Sequence, residues 1–204
     1  MKLRSLAVIF LFVLSCLPVF SEEKFGMEVY PGSTSDSALT ALSKESADKM
    51  QEGLPPANRI QFEQNVYVSK EAFDKVLAFY EGKFALKAAA FNPDNPTPLS
   101  PQGFALLQEI EMKDAVTSAK FFNPNLDPTK FEGKVKLALF NKPEMPMVSV
   151  MDRGLNWKDG SIISSTIISI TKQPEIPQLK QAQTPAAPEA AAKEAPAQPA
   201  PATK

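Results

Sequence analysis

The chain has 204 residues, with 22 basic against 23 acidic side chains and a formal charge of −1. That balance offers no field for gathering nucleic acid or an anionic membrane surface. There is no histidine, and the single cysteine is Cys16, so the chain beyond it lacks imidazole acid–base chemistry, a thiol nucleophile, the usual nitrogen- and sulfur-ligated zinc site and any internal disulfide.

Lys2 and Arg4 precede an apolar run from Leu6 to Leu17, broken by Pro18 and followed by Val19-Phe20-Ser21. This is the three-part plan of a secretory signal peptide over residues 1–21, cleaved before Glu22. The run is shorter than the ~20 residues that span a bilayer, and no later stretch approaches that length. Val13-Leu14-Ser15-Cys16 supplies the alternative, a relaxed lipoprotein box in which an acylated Cys16 anchors the protein to a membrane. The expected address is therefore exported, periplasmic or secreted, with a membrane-anchored lipoprotein as the alternative.

Residues 22–172 are expected to form one domain. A short strand over 25–30 ends at the turn Pro31-Gly32. A helix over 35–51 carries Leu39, Leu42 and Met50, with Thr34 or Ser35 as its cap, and stops at Gly53, Pro55 and Pro56. Residues 59–68 alternate as a strand, with Ile60, Phe62, Val66 and Val68 on one side and only Gln64 breaking the pattern. Ser69 reads as the cap of a helix over 70–84, whose Phe73, Val76, Leu77, Tyr80 and Phe84 share one face. Prolines 93, 96, 98 and 101 make residues 91–101 a loop. Ser100-Pro101 then signals a helix near 101–112, although 104–112 also alternates as a strand. After a second loop over 122–133, strands are expected from Val135 to Leu139, over 147–153 and over 161–172, joined by short turns. The isoleucine-rich last strand is too sticky to lie at an edge.

These elements give an α+β fold, a mostly antiparallel sheet with two or three helices packed on one face. Residues 173–204 hold seven prolines, ten alanines and no aromatic side chain, and are expected to be a disordered tail, either a spacer or a dispensable terminus.

Val29-Tyr30-Pro31-Gly32, the alternating strand after it and the helix with Phe73, Val76 and Phe79-Tyr80 resemble a pattern in uncharacterised exported bacterial proteins. The resemblance covers about residues 27–84 and implies a small α+β domain without implying an activity.

Several residue groups invite a chemical reading, each beside a plainer one. Ser46 and Lys49 have the serine–lysine spacing of penicillin-recognising enzymes without the companion motifs; the plain reading is a solvated helix face. Asn123, Asn125 and Asp127 open like a calcium loop, but Pro128 and Lys134 occupy its glycine and glutamate positions, and capped turns explain them as well. Met145, Met147 and Met151 offer thioethers for copper(I) with no histidine or cysteine to help, against ordinary core packing. Glu109 and Glu111, placed on a helix, point apart and make a poor acid–base pair. No catalytic, cofactor or metal residue is assigned.

The expected function is a non-enzymatic exported envelope protein, a binding module for a protein or cell-wall component. Its contact surface would be the loops 88–101 and 122–133 and a hairpin bearing Trp157, flanked by Asp152, Arg153, Lys158 and Asp159. The alternative is a periplasmic carrier or sensor of a small apolar ligand, held between sheet and helix by Phe62, Phe73, Tyr80 and Phe84.

Overall fold

The computed structural model describes residues 22–92 and 102–173. The expected leader with Cys16, the tail from 174 onward and the proline loop from 93 to 101 lie outside the described residues.

The described residues open with a two-stranded hairpin, β1 (Glu23–Lys24) and β2 (Met27–Glu28). Phe25 and Gly26 form its turn at φ 53° and 79°, the left-handed pair that a tight hairpin requires. The expected strand over 25–30 is thereby interrupted at its first two residues. After the Pro31-Gly32 turn come β3 (Thr34–Ser35) and α1 (Ser37–Met50). The helix is capped by Asp36, whose carboxylate accepts from the Leu39 amide at 2.9 Å, so the cap falls one or two residues beyond the expected one.

β4 (Gln64–Ser69) leads to α2 (Phe73–Phe84). Ser69 lies ahead of the helix rather than at its cap, its hydroxyl accepting from the Glu71 amide at 3.1 Å. α2 ends on Ala85 in the left-handed conformation. β5 (Ala89–Ala90) follows, then β6 (Phe104–Glu111) and, with no linking residue, α3 (Met112–Ala119). The helix expected near 101–112 is therefore a strand. Its eight residues all pair with β7, and Gly103, at φ 101°, leads into it: a Cβ there would lie 2.5 Å from the Asn141 carbonyl oxygen, a close approach that glycine alone tolerates. β7 (Lys134–Asn141), β8 (Met147–Met151), the small hairpin β9 (Gly154–Asn156) and β10 (Ser161–Ile163), and β11 (Thr166–Thr171) complete the fold. The expected last strand is two strands, divided at Ser164-Ser165.

Seven strands form the main sheet in the order β3-β4-β11-β8-β7-β6-β5. Every pairing is antiparallel except β5 with β6. The fold is α+β, and its sheet is mostly antiparallel, as the alternation implies. All six residues of β11 are buried, because it lies between β4 and β8 and both of its faces are covered.

Two of the helices, α1 and α3, share one face of the sheet, and α2 covers the other. Successive residues of a strand face opposite ways. Tyr67, Ile168, Ile170, Val148, Val150 and Phe140 form one core with Phe73, Val76, Tyr80 and Phe84 of α2 and with Met27 and Val29. The neighbours Val66 and Ile167 are also buried, on the opposite face. A central sheet apolar on both sides needs cover on both sides. α1 and α3 supply it, and the second core gathers Met112, Val116, Ala119, Leu126, Val135 and Trp157. Among the described residues no helix is long and apolar enough to cross a membrane.

Candidate functional site

The two cores are filled differently. On the α2 side the rings interlock: Phe84 stacks on Phe140 at 5.2 Å, and the buried Tyr80 hydroxyl accepts from the Tyr30 amide at 3.2 Å. On the other side α1 and α3 flank the sheet without meeting over its middle, and a half-open cleft of about 400 Å³ remains between them. Its floor is the alternate residues of neighbouring strands: Gln64 and Val66, Ile167 and Ser169, Ser149 and Met151, Val135 and Leu137. Leu39, Leu42, Ser43 and Ser46 of α1 form one wall, and Met112, Ala115 and Ala119 of α3 another. The β9–β10 hairpin adds Gly154, Leu155, Trp157 and Ile163. α1 buries none of its residues, because its apolar side borders this space.

Small polar side chains create the volume. Ser169 and Ser149 face each other across β11 and β8 where larger apolar residues would close the gap. The Ser43 hydroxyl donates to the Gln64 side-chain oxygen Oε1 at 2.9 Å, and Gln64 Nε2 donates to the Ser169 hydroxyl. Among the described residues no buried side-chain nitrogen or oxygen lacks a hydrogen-bond partner.

The hairpin tip is clasped to α1. Trp157 is 8 % exposed; its ring lies 5.4 Å from that of Phe122 and its indole N–H donates to Ser46 at 2.8 Å. The Lys49 ammonium sits 4.4 Å from the ring centroid. Glu45 accepts from Lys158 at 2.5 Å and lies 3.6 Å from Lys49, and the Lys158 hydrogen bond, ahead of the Lys49 charge, holds its carboxyl below the usual range. Asp159 pins the turn by accepting from the hydroxyl and amide of Ser161, contacts that likewise lower its pKa. The Asp152 carboxylate takes the Lys136 amide at 2.9 Å and the Arg153 Nε at 3.3 Å.

Of the five residues expected on a contact surface, Trp157 and Arg153 thus line the cleft. Asp152 positions Arg153, while Lys158 and Asp159 hold the hairpin. The expected aromatic pocket needs correction. Phe73, Tyr80 and Phe84 come together, but as closely packed core, and Phe62 is 38 % exposed. Phe62 has the strand parity of Gln64 and Val66, the face turned away from α2, and it precedes the first residue of β4.

The remaining motifs resolve into structure. Ser46 donates to the Leu42 carbonyl at 3.0 Å and Lys49 is engaged by Glu45 and Trp157. Asn123 reaches the carbonyls of Trp157 and Lys158, each at 3.0 Å, and Asp127 caps a 3-10 turn. Glu109 and Glu111 lie on a strand, not a helix; they therefore share a face, on which both approach Lys134. Met151 lines the cleft and Met145 packs against the α2-side core. Among the described residues no cluster of three or more acidic, histidine or cysteine side chains is placed to hold a metal.

The floor of the cleft was missed by sequence reasoning, although it left a trace. Gln64, Ser149 and Ser169 are polar residues at positions where the alternation calls for apolar ones. No protein-family model, curated protein or solved structure matches this chain.

Proposed function

We propose that this protein is a non-enzymatic, exported binding protein of the cell envelope that holds a small, largely apolar molecule in the cleft between the sheet, α1 and α3. The observation that carries this reading is the cleft of about 400 Å³, which falls in the range of small-molecule sites (roughly 300–1,000 Å³) and has their composition, apolar walls with a few placed polar groups. Export rests on the positive start, apolar run and Ser21 of the leader.

The test is native mass spectrometry of protein purified gently after export, alongside Ser149→Phe, which fills the floor. The wild type should retain a small molecule that the variant lacks, with both giving the same circular dichroism. A wild type as empty as the filled variant, before and after incubation with an envelope lipid extract, sinks the proposal.

A second reading, contact with a protein or wall component, draws on Phe91 and Phe121, the latter 70 % exposed, since an exposed aromatic in a connecting segment is a favoured contact residue.

A further inference from the structure

Among the residues lining the cleft, Arg153 is the one that carries a charge. Its side chain is 44 % exposed, which puts it at the mouth. The guanidinium is held through one nitrogen. Asp152 accepts from Nε at 3.3 Å with one oxygen, while its other oxygen takes the Lys136 amide of β7 at 2.9 Å. The terminal pair Nη1 and Nη2 has no partner among the described residues, so the planar fork is oriented by the sheet and left open.

We infer that the ligand is a single-chain amphiphile whose apolar chain lies along the cleft floor and whose anionic head is taken by the open fork of Arg153. This rests on the cleft being a ligand site. An oriented guanidinium edge matches the two oxygens of a carboxylate or phosphate and gives a bidentate, charge-assisted contact. A cationic head would meet Arg153 as a like charge. A neutral head would gain a hydrogen bond and no charge term. The apolar floor of Val66, Ile167 and Leu137 selects a hydrocarbon chain over a polar one. Carboxylate and phosphate monoester are the two sources of such a head.

Trp157 lines the cleft and is the only tryptophan of the chain, so its emission reports occupancy. Decanoate, decyl phosphate, decanol and decylamine would be titrated into the full mature protein below their micelle-forming concentrations. One or both anionic chains should bind about tenfold tighter than decanol, the factor expected of a charge-assisted hydrogen bond at a half-exposed site; which of the two is tighter identifies the head. Arg153→Gln should remove that tenfold preference, bringing the anionic chains to the affinity of decanol for the same variant, with Arg153→Lys recovering part of it. Equal binding of anionic and neutral chains, or an anion preference that survives Arg153→Gln, overturns the head-group assignment while leaving the cleft as a ligand site. If none of the four chains binds, the cleft reading falls and this inference with it.

Discussion

The indole nitrogen of Trp157 donates to the hydroxyl of Ser46 at 2.8 Å, across 111 residues of chain. Ser46 donates its own hydroxyl hydrogen bond to the Leu42 carbonyl one turn back on α1, so the hairpin tip is tied into the hydrogen bonding of a helix. A buried N–H that loses its acceptor costs about 1–3 kcal/mol. Ser46→Ala should therefore lower unfolding stability by an amount in that range, and Trp157 emission should move to longer wavelength as water reaches the ring. Urea denaturation followed by that emission reads both effects. An unchanged midpoint and spectrum would show that the clasp contributes nothing and that the hairpin is held by its other contacts, to Phe122, Lys49, Asn123 and Glu45.

The sequence carried the local elements well and their assembly poorly, for a physical reason. Val135 to Leu139 and the isoleucine run of β11 announce strands because alternation is a property of the strand itself. The side of the sheet that a residue faces is set by partners far away. Phe62 and Phe73 both look like core residues, yet Phe62 lies ahead of the first residue of β4 and stays exposed while Phe73, on α2, is buried. At 104–112 the cap signal of Ser100-Pro101 and the alternation of the strand competed, and the partner strand β7, paired along all eight residues of β6, sides with the alternation. Trp157, with charged neighbours on both sides, reads as exposed; its burial depends on Ser46 and Phe122, which lie far from it in the chain.

Replacing Phe84 and Phe62 by alanine separates the packed core from the surface. Phe84 is fully buried and stacked on Phe140, and removing such a ring costs about 3–5 kcal/mol. That is a large share of the stability of a domain this size, about 5–15 kcal/mol. Phe62→Ala should stay within about 0.5 kcal/mol, as surface substitutions do. Thermal melts of the two variants give the comparison. Equal losses would mean that Phe62 joins the core in solution.

Stability should also fall at high pH in a way that Tyr67 governs. Burial, and after it the hydrogen bond its hydroxyl donates to the Glu22 carboxylate at 3.0 Å, push its pKa from 10 up to about 12. Burial likewise raises that of Tyr80. Below pH 10 the phenol is neutral in both folded and unfolded chains, and its contribution is fully present. Between pH 10 and 12 the unfolded chain releases the proton while the folded one keeps it, so folding loses stability as pH rises through that window. Tyr67→Phe cannot ionise and keeps the ring. At neutral pH it should cost about 1 kcal/mol for the lost hydrogen bond, and its stability should decline less steeply than the wild type's from pH 10 to 12. Urea midpoints of both proteins across that window decide the matter: the curves should approach each other above pH 10 and cross before pH 12, because the rise of the phenol from 10 to about 12 outweighs a hydrogen bond of about 1 kcal/mol, and parallel curves would mean that the Tyr67 phenol titrates alike in the folded and unfolded chains.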